Sequence, residues 1–569
     1  MDNQRLLIWA FFFLMAWITY QTWMEDYGPK PVPAATQPTG PEAPASEAPA
    51  IDDDLPEIID AGSTTPLPVA PGATQTPAVP SAPTVRVTTD VLDLEISTRG
   101  GTIQRAILQK YPVAKDLPDT LVQLLSSDAA DLGMIESGVR ALGGAPEATH
   151  LTVFESPLDS YDLGGAEEMD VLLAWTDQSG IIVEKRYRLK RGSYAIELQQ
   201  TVSNASTDTW QGAEYTRIKR FSREQERSMF DVDSYSFSGP IVYDGDKSEK
   251  LKRGDLVDDG KYEYYSQQGW FGSIQHHFVT AVVPPAGNEY KYEVAVTGDT
   301  SVSSAIGRNA TVIAPGDSHT FATTLFVGPK LQAQLESIDK TLKLTVDYGW
   351  LTIISQPLFW LLGLVHGFVG NWGVAIIFVT LLIKLAFYKL TESSGRSMAK
   401  MRNLQPRMKA LQDRYKDDRQ ALSQAMMDLY KREKVNPAAG CLPILIQMPF
   451  FLAFYWVLLE SVEMRQAPFA LWITDLSTRD PYFILPLIMG AAMFIQQKLN
   501  PAPADPVQAK VMQIMPVMFT VFFAFFPSGL VLYWVTNTLL SIAQQWKINK
   551  VVEAEAKEQK GSKKKPKAD

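Results

Sequence analysis

A lysine lies inside a long apolar run, where a charge is costly. The run from Asn371 to Tyr388 reads NWGVAIIFVTLLIKLAFY and is long enough to cross a bilayer as a helix. At ~1.5 Å per residue, Lys384 would lie roughly 20 Å from Asn371, about two-thirds of the way through a ~30 Å hydrocarbon core. A charge near the centre of such a helix costs about 2.5–3.5 kcal/mol on insertion scales. Lys384 therefore either snorkels to the nearer interface along its own stem or faces a hydrated cavity inside a helix bundle.

Polar side chains in four other apolar runs could line such a cavity. Asn537, Ser541 and Gln545 recur every four residues and so share one face of a helix. Thr380 shares a face with Lys384 in the same way. Any one of these groups could instead bond a neighbouring helix, which is the common use of a polar group in a membrane. The full set in the four runs is Gln447, Gln496, Gln497, Gln513, Thr520, Thr536, Asn537, Ser541, Gln544 and Gln545.

The sequence lacks the motifs of common enzyme and metal sites. It has no Walker A loop, no dinucleotide-binding glycine fingerprint, no HExxH motif and no Cys/His cluster. The single cysteine, Cys441, excludes an intrachain disulfide and is expected to pack as a small apolar residue. His276 and His277 lie in a β-rich region, where neighbouring residues point to opposite faces, so they are not expected to share a metal ion. We therefore predict no catalytic residue, no metal site and no cofactor.

Composition divides the chain into a soluble part and a membrane part. The chain has 569 residues and a net charge of −10, and this acidic balance argues against a general nucleic-acid binder. Residues 28–340 have the character of a soluble protein, whereas long apolar runs dominate residues 350–546. The fold class that we predict is a polytopic α-helical membrane protein with a large all-β domain outside the membrane.

The N-terminal segment is predicted to be an anchor followed by a linker. The apolar run Leu6–Trp23 has 18 residues and ends in bulky side chains such as Tyr20, not in the small residues of a cleavage site. Residues 1–27 are therefore predicted to be an uncleaved signal-anchor helix with its N-terminus in the cytoplasm. Residues 28–83 contain 14 prolines among 56 residues and are predicted to be a disordered linker.

Residues 84–330 are predicted to form a large antiparallel β-sandwich. VRVTTDVLDLEIS, HLTVFE, IIVEKRYRL, YAIELQQTV and YKYEVAVTG alternate or nearly alternate between apolar and polar residues. RGG at 99–101 and KRGS at 190–193 are typical of hairpin corners. Three aromatic residues either pack in the core or line a cleft for a sugar or a peptide. They are Tyr264, Trp270 and Phe271.

Residues 331–369 are predicted to be an amphipathic helical region lying in the outer interface. Apolar residues are mixed there with Trp350, Trp360, His366 and several glycines. If this segment crossed the membrane just before the run from Asn371, the basic segment that follows would fall on the outside, against the positive-inside rule.

Residues 391–436 are predicted to be a cytoplasmic helical hairpin. Eleven Lys/Arg against six Asp/Glu place the segment inside. Apolar residues at three- and four-residue spacing predict two helices, with a turn near Asp417–Asp418 and a bend or break at Pro406. The methionines either fill the seam between the helices or offer an adaptable surface to partners. The candidate contact residues are Met398, Met401, Arg402, Arg407, Met408 and Lys409.

Four further apolar runs complete the predicted membrane part. Loop 461–481 has only two basic residues and is predicted to lie outside, whereas loop 500–508 lies inside. The tail 547–569 carries eight lysines and is predicted to be cytoplasmic and disordered. Both termini are then cytoplasmic. The six predicted spans are 1–27, 370–390, 437–460, 482–499, 509–526 and 528–546.

Several segments resemble the bacterial YidC membrane protein insertase family in their order and spacing. They read MAKMRNLQPRMKALQDRY, NPAAGCLPILIQMPFFLAFYW, RQAPFALWITDLS, DPYFILPLIMG and FPSGLVLYWVTN. The resemblance is strong from about residue 370 to 546 and extends in architecture to the anchor, the linker and the β domain of Gram-negative members.

This resemblance implies a multi-pass inner-membrane protein with a periplasmic β domain. Its five-helix core would form a hydrophilic groove open to the cytoplasm and to lipid. The family's groove cation, usually Arg, matches Lys384, which keeps the charge but lacks the bidentate fork. The family's substrate-contacting Thr and aromatic residue match Thr380 and Trp534, and Tyr533 lies beside Trp534 on another face. The family's β domain resembles a sugar-binding supersandwich, which alone does not imply sugar binding.

The resemblance and the residues together predict an insertase and chaperone of nascent inner-membrane proteins that is not an enzyme. The expected partners are nascent membrane proteins, the lipid bilayer, the Sec translocon, and the ribosome through the basic hairpin and tail. A transporter or channel with Lys384 as a coupling or substrate site is the alternative, although five core spans without an internal repeat do not favour it. A receptor on a membrane base would leave the buried charge unexplained.

Overall fold

The computed structural model describes residues 55–56, 82–222, 236–415, 418–433, 435, 442–499 and 506–562. The predicted anchor 1–27 and nearly all of the linker 28–83 lie outside the described residues, as does the predicted hairpin turn except for Asp418.

The described part of residues 84–330 forms two β-sheets, one of 11 strands and one of 8. The larger sheet has the order β13-β16-β17-β10-β5-β3-β2-β1-β6, with β18 beside β10 and β4 beside β3. The smaller sheet has the order β12-β11-β14-β15-β19-β9-β8-β7. β1 and β6 pair in parallel, and the other described pairs are antiparallel. The strands are β1 (Thr84–Thr88), β2 (Leu92–Ser97), β3 (Ile103–Ala114), β4 (Leu117–Leu125), β5 (Gly133–Ala141), β6 (Ser160–Asp162), β7 (Glu168–Thr176), β8 (Ile181–Lys190), β9 (Ala195–Asn204), β10 (Trp210–Phe221), β11 (Ser238–Tyr243), β12 (Ser248–Lys250), β13 (Tyr262–Ser266), β14 (Trp270–Gln275), β15 (Phe278–Val283), β16 (Tyr290–Thr297), β17 (Thr300–Gly307), β18 (Thr311–Ile313) and β19 (Ser318–Pro329).

The alternation of buried and more exposed residues along the strands explains how the two sheets pack as a sandwich. Along β8, residues 181, 183, 185, 187 and 189 are buried and their neighbours are more exposed. Leu94 and Ile135 of the larger sheet belong to the same hydrophobic cluster as Val183 and Leu198 of the smaller sheet. The two predicted corners are confirmed, since Gly100 and Gly192 both turn the chain with a positive φ.

One strand prediction in the β domain is wrong, and the two alternatives for its aromatic residues are decided. HLTVFE forms only isolated bridges, because a turn precedes them: Thr152 Oγ1 accepts from the Thr149 N–H, and Thr149 Oγ1 accepts from the Leu151 N–H. For the three aromatic residues, the core alternative is confirmed and the cleft alternative is not. Trp270 and Phe271 are fully buried, and Tyr264 stacks on buried Tyr292 with the ring centroids 4.5 Å apart.

The histidine pair lies in a turn and not on a strand. His276 has a φ of 45° in the two-residue connection between β14 and β15. The two rings stack with centroids 3.7 Å apart, and both Nε2 atoms lie within 3.1 Å of the Leu459 carbonyl oxygen. The prediction that they point to opposite faces is therefore wrong, because it assumed a strand. No group of three or more His, Cys, Asp or Glu side chains suited to a metal occurs among the described residues.

Helices dominate the described chain after residue 331. Short 3-10 turns at Leu342–Thr345, Gly349–Leu351 and Val462–Met464 connect some of them. The helices are α1 (Arg253–Asp259, inserted in the β domain), α2 (Gln332–Ile338), α3 (Thr352–Val369), α4 (Trp372–Ala386), α5 (Tyr388–Arg414), α6 (Arg419–Arg432), α7 (Leu442–Glu460), α8 (Ile484–Leu499), α9 (Pro506–Phe523) and α10 (Ser528–Ser562).

The corner between α3 and α4 sets the direction of α4. Gly370 ends α3 in the left-handed conformation, and its N–H donates to the His366 carbonyl. Asn371 then caps α4 by accepting a hydrogen bond from the Val374 N–H at 3.0 Å. α4 packs against α3 and α10, and α10 in turn packs against α5, α7 and α8.

Length and composition alone mark few of these helices as membrane spans. The helical stretch Gly349–Val369 passes such a test, as do α4 and α5 taken together across a bend of 68°. Leu445–Glu460, Ile484–Leu499 and Lys510–Phe523 are apolar but shorter. The predicted count of six spans and the interfacial position of residues 331–369 therefore stay predictions.

One prediction about helix ends is wrong in part, and another is wrong as far as Ser562. α5 continues through Pro406, so the predicted break is wrong, whereas a bend at the proline, which removes one backbone hydrogen bond, stays a prediction. The tail 547–569 is predicted to be disordered, but α10 continues through its first part and ends at Ser562. The sequence VVEAEAKEQK consists largely of good helix formers, and buried Ile548 and Val552 pack on Ala399 of α5.

Candidate functional site

One face of α4 is buried, and Lys384 belongs to it. Gly373, Ile376, Thr380 and Lys384 lie three or four positions apart and form a single buried stripe. The Lys384 residue is only 8% exposed. This burial favours the alternative in which Lys384 faces the inside of a helix bundle over a lysine on the helix surface.

Lys384 contacts the polar stripe of α10. Its Nζ donates to Ser541 Oγ at 2.7 Å, and this hydroxyl donates to the Asn537 carbonyl at 2.7 Å. Asn537 and Ser541 are both half-buried. Thr380 lies one turn away from Lys384, is 1% exposed, and donates to the Ile376 carbonyl at 2.7 Å. The structure thus brings four of the eight sequence-predicted groove residues to one seam between α4 and α10.

Two more of the eight, Tyr533 and Trp534, belong to an aromatic cluster. Tyr533 is buried and stacks on Phe454 of α7 with centroids 4.5 Å apart. Trp534 is half-buried and meets Phe451 edge-on at 4.7 Å and Phe523 of α9 at 5.1 Å. These rings join α7, α9 and α10 by packing, which the sequence could not distinguish from a role in binding.

The last two predicted groove residues lie on other helices. Gln447 is half-buried on α7 and Gln496 is half-buried near the end of α8. α7 and α8 both pack against α10, so the two helices that carry these amides border the same central helix.

The helices α5 and α6 pack on each other through a methionine-rich seam. Leu404 and Met408 are buried there with Val435, and Met401, Met426, Leu429 and Tyr430 surround them. The interpretation of methionines as seam residues is therefore confirmed at Met401 and Met408. Met398 is half-buried, Arg402 and Lys409 are exposed, and exposed Arg407 pairs with Glu433 at 2.6 Å.

Two family models together match most of the chain. The model described as "60Kd inner membrane protein" matches residues 364–556, and the "YidC periplasmic domain" model matches residues 84–361. A curated protein of Thioalkalivibrio sulfidiphilus, "Membrane protein insertase YidC", is 46% identical over 98% of this chain and 100% of its own length. A relative of the same name from Methylococcus capsulatus is 47% identical over 97% of this chain and 99% of its own.

The chain belongs to the YidC membrane protein insertase family.

This membership confirms the resemblance seen in the sequence and classes the chain with insertases and not with enzymes. A solved structure, "Active YidC insertase crystal structure with the first transmembrane domain resolved", is 19% identical with a TM-score of 0.37, covering 82% of this chain and 92% of that one. At that level of similarity it adds nothing to the assignment. The geometry of the Lys384 seam is described from the contacts of this chain and not from its relatives.

The loop between α7 and α8 of this YidC-family chain carries a buried titratable carboxyl group. Glu463 Oε2 is buried and has no hydrogen-bond partner among the described residues. Burial raises the pKa of Glu463 to about 7. The unfolded chain, with an ordinary Glu pKa, therefore holds fewer protons than the folded chain between about pH 4.5 and 7. The stability that the protonated carboxyl contributes is complete below about pH 4.5 and is lost as the pH rises through 7.

Glu463→Gln keeps the shape of the protonated carboxyl and removes its ionisation. We expect the variant to be more stable than the parent by about 2 kcal/mol at pH 8, with the difference closing as the pH falls to about 4.5. Thermal unfolding of the full chain in detergent, measured across this pH range, checks the expectation. A difference in melting temperature that does not change with pH would contradict it.

Proposed function

We propose that this chain inserts nascent proteins into the bacterial inner membrane and assists their folding, without enzymatic chemistry. The observation that carries the proposal is Lys384, buried against the polar stripe of α10 in a chain of the YidC family. Its curated relatives bear the name "Membrane protein insertase YidC", and one matching family model is described as an inner membrane protein. The transporter alternative has no comparable observation in its favour.

The topology that we propose has six spans, five of which form the insertase core. Both termini and the α5–α6 hairpin lie in the cytoplasm, and the β domain with loop 461–481 lies in the periplasm. The charge distribution supports this arrangement, because the basic residues gather in the hairpin and in the tail. Residues 331–369 would lie in the outer interface, since Ile353, Trp360 and Phe368 of α3 are exposed apolar side chains.

The mechanism rests on a polar groove that shortens the dry path across the membrane. Lys384 would attract acidic residues of an arriving segment, more strongly than in bulk water because its surroundings are partly desolvated. A membrane potential that is negative inside adds about 2.3 kcal/mol per 100 mV for each negative charge that moves outward. The client would then leave sideways into lipid. The groove residues are Thr380, Lys384, Gln447, Gln496, Tyr533, Trp534, Asn537 and Ser541.

Cytoplasmic partners would meet the hairpin and the basic tail. Arg402 and Lys409 are exposed on α5 and suit an anionic surface such as ribosomal RNA. Met398 at the base of the hairpin is half-buried and would adapt to varied partners. We also propose cooperation with the Sec translocon, for which family membership is the support.

Depletion with complementation tests the proposed function. A host is depleted of its own insertase, supplied with this chain, and followed for membrane insertion of a two-span client with an acidic periplasmic loop. We expect insertion to be restored by this chain and not by an empty vector. Equal insertion with the empty vector and with this chain would contradict the proposal.

A further inference from the structure

The β domain and the helical core meet at a buried ion pair. Lys330 directly follows β19, and Glu460 is the last residue of α7. Their Nζ and Oε2 atoms are 3.0 Å apart, and the residues are 1% and 5% exposed. Ser236 Oγ donates to the other oxygen of Glu460 at 2.9 Å. We call Lys330 and Glu460 the junction pair.

The histidine turn joins the β domain to the same end of α7. His276 and His277 share the Leu459 carbonyl, and the Lys330 N–H donates to the His277 carbonyl at 2.9 Å. Carbonyl groups at a helix C-terminus lack partners within the helix, so donors from the β domain and a lysine charge both stabilise this end.

A hairpin of the β domain holds the loop that follows α7. Lys115, in the turn between β3 and β4, donates to the carbonyls of Gln466 and Thr474. In return, the Arg465 guanidinium donates to the Pro112 and Val113 carbonyls at 2.9 Å. These bonds link the β domain to residues 465–481, which we call the junction loop.

The other side of the junction loop covers the N-terminal ends of α4 and α10. The Asn371 side chain donates to the Phe469 carbonyl at 2.9 Å, and a Cβ added at Gly373 would lie 2.2 Å from the Phe469 ring. The Ser528 and Gly529 N–H groups donate to loop carbonyls at 2.7 and 2.9 Å. The loop thus lies between the β domain and the two helices that carry Lys384 and Ser541.

We propose that the junction pair consists of positioning residues through which the β domain holds the junction loop over this end of the helical core and keeps it closed. A buried ion pair contributes little net stability, so the role that we assign to this pair is positioning. Removing one partner of a buried pair leaves an uncompensated charge and is strongly destabilising, whereas replacing both by apolar residues is often neutral. The inference deepens the proposed function and rests on it, because the closed end would be the periplasmic side of the insertase core.

Thiol labelling tests this role without measuring insertion. The full chain carries Cys441→Ser, which removes its only cysteine, and Ile473→Cys, at a loop residue that is 3% exposed. In membranes, we expect Lys330→Met to raise the rate of labelling by a membrane-impermeant maleimide about tenfold. The double variant Lys330→Met/Glu460→Met also lacks the pair, although it leaves no unpaired charge, and is expected to label about as fast as the single variant. Lys340→Met, which removes an exposed lysine nearby, is the matched control and keeps the parent rate.

Two outcomes would overturn the proposal: folded Lys330→Met labels at the parent rate, or the double variant labels at the parent rate, which would assign the effect of the single variant to its unpaired charge. If Lys330→Met does not accumulate, Glu460→Gln removes the charge of the other partner with little change in shape and is expected to label about threefold faster. An unchanged rate for that variant also overturns the proposal. A variant that loses insertion while its labelling stays at the parent rate would contradict this role and leave the proposed function intact.

Discussion

Lys384→Ala is expected to lower the insertion of a client with an acidic periplasmic loop by about tenfold, whereas Lys384→Arg is expected to keep most of it. The alanine variant removes a buried cation that donates to Ser541, so the seam between α4 and α10 loses the charge that would attract a carboxylate. Arginine restores the charge, although its larger fork must fit beside Ser541. The loss is expected to be specific to acidic clients, because the attraction is electrostatic.

Two versions of the client and a control variant at a second lysine test this expectation. Insertion is followed by protease protection of the client's loop, in an acidic form and in a form with Asn and Gln in place of Asp and Glu. Lys389→Ala removes an exposed lysine just beyond α4 and is expected to insert both clients as the parent does. An equal loss for both clients, or no difference between the Lys384 and Lys389 variants, would show that the charge at 384 does not select clients.

Lys185→Met is expected to have the largest effect on stability. Lys185 is fully buried in the β sandwich, and its Nζ donates to the carbonyls of Gly100 and Ser137 and to Ser137 Oγ at 2.7–2.8 Å. The same ammonium lies 5.0 Å from the centre of the Phe154 ring. Methionine fills a similar volume but leaves these acceptors without their donor, which costs about 3 kcal/mol or more.

The measurement is the melting temperature of the full chain, followed by a probe of β structure. A loss of about 3 kcal/mol lowers the melting temperature of a domain of this size by roughly 10 °C. Lys190→Met, on the exposed end of the same strand, is the control and is expected to change it by about 1–2 °C at most. If Lys185→Met and Lys190→Met have the same melting temperature, the buried lysine contributes nothing specific to the stability of the sandwich.

Periodic patterns predicted much of this molecule because they report local geometry. Alternation along β8 and β9 indicated strands, and Gly192 marked the corner between them. The four-residue spacing of Asn537 and Ser541 indicated a polar helix face, and Lys384 does contact that face. The face of a helical residue follows from its spacing, so the sequence was sufficient to place Asn537 and Ser541 on one face, but not to pair that face with Lys384.

Contacts between distant segments could not be predicted in this way. Lys330 and Glu460 lie 130 positions apart and are ordinary charged residues in the sequence, with no pattern to pair them. Lys185 occupies an inward position of its strand, but only the packing of the two sheets shows that its charge has partners there. The prediction for His276 and His277 was wrong because a two-residue turn and a strand interior look alike without the register of the neighbouring strands.

Reconstitution tests the proposed insertase function most directly. The purified chain is placed in proteoliposomes of bacterial lipid, and a two-span client with an acidic loop is synthesised beside them without Sec components. We predict that the client becomes protected from protease far more often than with protein-free liposomes, and that Lys384→Ala removes most of this gain. Equal protection in liposomes with and without the chain would contradict an insertase function.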